Sequence, residues 1–155
     1  MKKLIFSVLM GLLISGSSLA QQSLVGTYKM VSRSQEIQGS PPDNRYGKLP
    51  RGSMIITPTR VLVFYAAEVR KAGNSKAEKA QLYDTMNAWS GRYRLAGSRM
   101  TVSVEASATE NWNGTDIVWN IQRSGNSLTL TSDSRPSGRD PSKTVVTRLA
   151  WEKIE

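Results

Sequence analysis

The chain has 155 residues, with 21 basic and 12 acidic side chains, and it contains neither histidine nor cysteine. These absences exclude a Ser-His-Asp or Cys-His catalytic group, a disulfide, and a zinc site built from histidine and cysteine. The formal net charge is +9, but the basic residues are scattered and form no stripe with interleaved aromatic side chains, so we expect no nucleic-acid partner. We also expect no metal and no cofactor.

Residues 1–20 have the order of a secretory signal peptide. Lys2 and Lys3 precede the apolar run Leu4–Ile14, and small residues follow it up to Ala20. A transmembrane helix needs about 20 apolar residues, and this run has about half of that number. We therefore expect cleavage after Ala20, which lowers the formal charge to +7. The processed chain is expected to have no integral membrane segment and to be periplasmic or secreted.

Export of this kind predicts a defined N-terminus. Protein recovered from the periplasm or the medium of a producing bacterium should begin at Gln21, because signal peptidase removes the segment before it. Intact-mass measurement reads this start directly. Full-length protein held in the inner membrane would refute the prediction.

After residue 20 the apolar residues recur mostly with a period of two, which is typical of short antiparallel strands. The 135 residues that remain are enough for one domain with a hydrophobic core, and we expect residues 21–155 to form it. The pattern predicts eight strands, in the regions 23–34, 53–57, 61–66, 91–95, 100–105, 117–121, 128–130 and 145–151. On the first strand, Tyr28 and Met30 are expected on the apolar face, with Lys29 and Arg33 on the polar face.

The segment 76–88 is the one convincing helix. Ser75 and Glu78 have the spacing of a capping box, and the segment is rich in Ala, Lys, Glu, Gln and Leu. Leu82, Met86 and Trp89 are spaced to share one helical face. We therefore expect this helix to lie against the sheet and to cover one of its ends.

Eight meandering strands avoid exposed edges most simply by closing on themselves. We therefore predict an all-β fold, an eight-stranded antiparallel meander barrel with one short helix. A two-sheet sandwich is the alternative. The interior of an eight-stranded barrel is just wide enough to be packed with side chains or to hold one small ligand.

Five sequence blocks resemble the bacterial lipocalin-like domain proteins. The first, Leu24–Tyr28, corresponds to the Gly-x-Trp motif of the family's first strand. The others are Gly52–Pro58, Trp89–Tyr93, Asn111–Asp116 and Leu149–Glu152. The resemblance implies a lipocalin-like barrel over residues 21–155 and, by analogy with that fold, a ligand cavity, although a fold does not determine a function.

The chain departs from this family at three places. Tyr28 replaces the usual tryptophan, which keeps an aromatic ring at the base of the barrel. A histidine expected near residues 102–105 and an arginine expected near Trp119 are both absent. Activities that depend on those two groups elsewhere in the family therefore cannot be carried over to this chain.

Seven side chains are candidates for ligand binding, and none is assigned a catalytic role. Four aromatic residues are expected on inward faces, where each either lines a cavity or simply packs the core. Two tryptophans lie near glycines at strand ends, where a mouth would be, and one carboxylate could act at the centre of a polar cavity. The seven are Tyr28, Tyr93, Trp119, Trp151, Trp89, Trp112 and Glu105.

Three functions are open at this point. The first is capture of a small apolar or amphipathic molecule inside the barrel of a monomer. The second is an isomerase or cyclase that uses a barrel carboxylate, with Glu105 as the first candidate. The third is a protein-interaction or inhibitor module with a filled core. Arginines such as Arg135 could attract an anionic ligand, but a solvated outer face is the favoured role for them.

Overall fold

The computed structural model describes residues 24–137 and 140–155, so the predicted signal peptide lies outside the described residues. Antiparallel strands make up most of this part of the chain, as the sequence pattern indicates. The strands are β1 Gly26–Ile37, β2 Arg51–Ile56, β3 Arg60–Ala66, β4 Met86–Ala96, β5 Arg99–Ser107, β6 Asp116–Ser124, β7 Ser127–Ser132, β8 Arg135–Pro136 and β9 Thr144–Lys153. The helices are α1 Lys76–Asp84 and the 3₁₀ helix η1 Glu110–Trp112.

The sheet closes into a barrel. Each strand from β1 to β6 pairs antiparallel with the next one, β7 pairs with β9, and β9 pairs with β1. Eight strands therefore form the ring, and β8 is a two-residue addition to β9. The predicted eight-stranded antiparallel meander barrel is confirmed. The alternative sandwich is wrong, because the backbone groups at the edges of β1 and β9 hydrogen-bond to each other and close the sheet.

One half of the barrel interior is filled with side chains. It lies at the end where the β2–β3 hairpin turns, and alternation along each strand directs the apolar residues inward. The side chains that are essentially inaccessible to solvent are Trp151, Tyr28, Met54, Ile56, Met100, Leu128, Leu130, Leu149, Val61, Val63 and Val102. The Tyr28 hydroxyl donates a hydrogen bond of 2.8 Å to the Leu24 carbonyl, so this buried polar group is satisfied.

A β-bulge in β1 reverses which residues face inward. The pairing of β1 with β9 shifts between Met30 and Ser32. Before the shift Tyr28 and Met30 are buried, and after it the odd-numbered residues, beginning with Arg33, turn inward while Val31 is exposed. The predicted outward position of Arg33 is therefore wrong, because one extra residue in a strand exchanges its two faces.

The helix is shorter than the prediction of 76–88. Its start is as expected, since the Ser75 hydroxyl accepts a hydrogen bond of 3.2 Å from the Glu78 amide in a complete capping box. It ends at Asp84, however, and Met86 and Trp89 lie on β4, paired with β3. Pairing with β3 on one side and β5 on the other satisfies the backbone of this segment, and this tertiary contribution outweighs its helical propensity. None of the helices among the described residues has the length and apolar character needed to cross a membrane.

Candidate ligand-binding site

A cavity of about 360 Å³ opens at the end of the barrel opposite the filled half. Its wall is formed where β1 and β3 end and where β4 and β9 begin, and the rim is completed by the end of α1, by η1 and by β8. Its volume lies at the lower end of the range of about 300 to 1,000 Å³ that is usual for small-molecule sites. The barrel is therefore neither hollow throughout nor completely filled.

The floor of the cavity is aromatic. Trp119 on β6 lines the cavity, and its ring stacks on that of Trp89, with the centroids 6.0 Å apart and an interplanar angle of 13°. Trp112 on η1 lines the cavity nearer its rim. The indole N–H of Trp119 is buried and has no hydrogen-bond partner among the described residues.

Arg33 lines the cavity from β1, just after the bulge. Only 6% of its side chain is exposed, and its guanidinium carbon lies 4.0 Å from the centroid of the Tyr46 ring. Its Nη2 donates a hydrogen bond of 3.1 Å to the side-chain oxygen of Gln35, whereas Nε and Nη1 have no hydrogen-bond partner among the described residues. Arg33 thus brings a largely buried cation to the wall of the cavity, where the Tyr65 hydroxyl lies close to its guanidinium.

Asp43 does not fully neutralise Arg33. It lies 3.6 Å from Nη1 of Arg33, but both of its carboxylate oxygens accept hydrogen bonds from Nε of Arg45, at 3.0 and 2.8 Å. Burial raises the pKa of Asp43, but the Arg45 hydrogen bonds and the charges of Arg45 and Arg33 outweigh it, and the net pKa is lowered. Asp43 is therefore an ionised partner that is directed mainly at Arg45.

A second arginine and two tyrosines complete the polar side of the cavity. Arg135 on β8 has its guanidinium 5.7 Å from the centroid of the Trp112 ring, and burial, reinforced by the charge of Arg33, lowers its pKa. Burial raises the pKa of Tyr46 to about 12 and also raises the pKa of Tyr65. Both tyrosines are therefore neutral near pH 7 and present hydroxyl groups, while both arginines remain charged.

The seven candidate residues are divided among three places. Trp112 and Trp119 line the cavity, and Trp89 supports Trp119 from behind. Three others belong to the filled half and do not line the cavity: Tyr28, Trp151 and Tyr93, whose hydroxyl donates a hydrogen bond of 3.0 Å to the Thr57 carbonyl. The expected cavity lined by Tyr28, Tyr93, Trp119 and Trp151 together is therefore corrected, because large apolar side chains fill the end where three of them lie.

Glu105 lies on the outside of the barrel. Its side chain is 42% exposed and forms ion pairs with Arg60 and, at 3.5 Å, with Arg92. It therefore does not supply a carboxylate at the centre of the barrel, as the isomerase or cyclase alternative required. In the described part of the chain, no three acidic side chains come close enough together to hold a metal ion.

Several cavity residues were not among the sequence candidates. Arg33 and Gln35 were missed because the bulge was not recognised, although an apolar Val31 followed by Ser32 breaks the alternation and signals it. Tyr65 lies in the predicted strand 61–66 and was not among the seven candidates. Tyr46 lies in a loop, and no local sequence pattern indicates that this loop folds over the mouth.

Comparison with known proteins agrees with this architecture. The model of the lipocalin-like domain family matches residues 25–154. No curated protein matches the chain. Among solved structures, the crystal structure at 2.60 Å resolution of an uncharacterized protein from Bacteroides eggerthii aligns with 9% identity and a TM-score of 0.42, over 84% of this chain and 98% of that one. With a family match over nearly all of the described barrel, the chain belongs to the lipocalin-like domain family.

Proposed function

We propose that the protein binds a small amphipathic molecule in the open end of its barrel. The observation that carries this proposal is the cavity of about 360 Å³, with Trp119 on its floor and polar side chains on its wall. An apolar portion of a ligand would pack on the aromatic floor, and a polar portion would reach the side chains of β1 and β8. A purely apolar ligand is less favoured, because it would remove water from the polar wall without offering an acceptor to Arg33 or Arg135.

The division of the barrel into a filled half and an open half supports binding. The filled half holds the strands in a single register, so that the side chains at the open end are positioned before a ligand arrives. Such preorganisation reduces the entropy that binding would otherwise lose. An interaction module with a completely filled core is less favoured, since the open half provides space that such a module does not need.

The binding proposal can be tested with N-phenyl-1-naphthylamine, a neutral dye that fluoresces strongly when it leaves water. The wild-type protein should give a saturable rise in dye emission. Ile37 lines the cavity and Val31 lies exposed on the outer face of the same strand, so they form a matched pair. Ile37→Trp should weaken dye binding about tenfold or more because the larger ring occupies the cavity, while Val31→Trp should bind as the wild type does.

Two results would count against a cavity site. Equal loss in both tryptophan variants would mean that the dye binds elsewhere, and the absence of any saturable signal in the wild type would favour the interaction-module alternative. Circular dichroism of each variant verifies that the barrel has formed before binding is compared.

We propose further that the protein works as a monomer in the periplasm or outside the cell. The support for export is the order of basic, apolar and small residues in 1–20. A binding protein in that setting would meet its ligand outside the cytoplasm.

A further inference from the structure

We infer that the ligand carries an anionic head group, a carboxylate or a phosphate, which binds between Arg33 and Arg135. This inference rests on the proposed function and narrows it to one chemical class. It is drawn from the arrangement of charge around the cavity, which is lined by three arginines, Arg33, Arg135 and the Asp43-paired Arg45.

Arg33 provides the stronger part of the argument. Its side chain is 94% buried, and two of its nitrogens, Nε and Nη1, have no hydrogen-bond partner among the described residues. Burying a polar group without a partner is unfavourable, and burying a charge is more so. Guanidinium groups bind carboxylates and phosphates strongly through their N–H donors, so an anion beside Arg33 would provide an acceptor that the described residues do not supply.

Arg135 supplies the second cation. Arg135 forms no ion pair with any acidic residue in the described ranges. Its guanidinium instead lies over the ring of Trp112. The positive charge of Arg33 lowers the pKa of Arg135; the Arg33 side chain is buried and Arg135 is half-buried. One negative group between them would reverse this repulsion into two attractive interactions.

The acidic side chains nearby do not fill this role. Asp43 is directed at Arg45, from which it accepts both short hydrogen bonds. Asp84 lines the cavity at the end of α1, but it is exposed to solvent. The cavity therefore retains a positive end on the side of β1 and β8.

The remainder of the wall indicates what the anionic group is attached to. Trp112, Trp119, Tyr46 and Tyr65 line the cavity, and flat apolar groups pack well against aromatic rings. The ligand class is therefore a small amphipathic anion whose body is aromatic or otherwise flat.

A matched set of naphthalene compounds tests the charge of the head group. Isothermal titration calorimetry of the purified protein would compare 2-naphthylacetate, 2-(2-naphthyl)ethanol and 2-(2-naphthyl)ethylamine, which differ mainly in charge. The acid should bind about tenfold tighter than the alcohol or better, and the amine should bind most weakly. A further titration with 2-naphthyl phosphate distinguishes a preference for phosphate from one for carboxylate.

Substitutions of single arginines show which side chain makes the acid bind more tightly than the alcohol. Arg33→Met, which keeps the length of the side chain, should lower the affinity for the acid to that for the alcohol and leave the affinity for the alcohol nearly unchanged. Arg33→Lys should retain part of the tighter binding of the acid, because it keeps the charge but loses the paired donors.

Arg92→Met is the matched control, since Arg92 is 76% exposed on the outer face of β4. The affinity of this variant for the acid should equal that of the wild type. If Arg33→Met fails to fold, Arg135→Met makes the same test from β8, which lies outside the closed ring.

The outcomes separate this inference from the proposed function. Equal binding of the acid and the alcohol would overturn the anionic head group and leave the cavity site intact. Equal loss of acid affinity in Arg92→Met and Arg33→Met would also overturn it, because the attraction would then come from the general positive charge. If no compound binds and the neutral dye also fails to bind, the inference and the proposed function fall together.

Discussion

Trp151→Ala should lower the free energy of unfolding by about 3 to 5 kcal/mol, a large part of the total of about 5 to 15 kcal/mol for a small domain. Trp151 is 1% exposed, and it lies opposite Met30 on β1 and Leu128 on β7. It thus packs at the seam where β9 closes the barrel. Its indole N–H has no hydrogen-bond partner among the described residues, so the expected loss comes from packing and not from a broken hydrogen bond.

Urea denaturation followed by circular dichroism measures this loss. Phe64→Ala is the control, because Phe64 is a large aromatic residue on the exposed outer face of β3. We expect a much smaller change for Phe64→Ala than for Trp151→Ala. Unfolding of Trp151→Ala at the same urea concentration as the parent would show that Trp151 is not part of the core.

Gly91→Ala should also destabilise the barrel, by about 1 to 3 kcal/mol. Gly91 follows a bulge in the pairing of β4 with β5. A Cβ atom at this position would lie 2.0 Å from the Ser103 carbonyl oxygen and 3.1 Å from the Val104 Cα. Both are backbone atoms of the paired strand, so the two strands would have to separate locally and weaken their hydrogen bonds.

The neighbouring substitution Ser90→Ala provides the control for Gly91→Ala. It lies on the other side of the same bulge and removes one hydroxyl without adding volume. Thermal unfolding of both variants compares the two effects, and a lowered midpoint is expected for Gly91→Ala. If Gly91→Ala and Ser90→Ala unfold at the same temperature as the parent, β4 and β5 are not as closely paired at residue 91 as described.

Local alternation was sufficient to predict most of the fold. The segments 100–105 and 128–130 alternate apolar and polar residues without interruption, and both form strands with the expected faces. Barrel closure followed from the number of strands and from the unfavourable exposure of unpaired edges. The start of α1 could be predicted from the sequence as well, since a capping box depends only on two residues three positions apart.

The ligand site depended on less local features. Trp112 was identified from the sequence because it lies near a predicted strand end, and Trp119 because it falls on a predicted inward face. Arg33 was placed on the wrong face, since a single extra residue in β1 exchanges the faces of everything that follows. Arg135 was assigned to a solvated surface, because its contact with Trp112 joins segments more than twenty residues apart.

The sequence by itself determined the strands, their order and the apolar half of the interior, because the period of two and the turn residues act over a few neighbouring positions. Only the tertiary structure decided that Met86 and Trp89 extend a strand and not a helix, since both pair with β3 and Trp89 also pairs with β5. It also decided where the interior stays open. That depends on how side chains from distant strands meet across the barrel, and at one end they fill the space while at the other Arg33 and Arg135 remain facing a cavity.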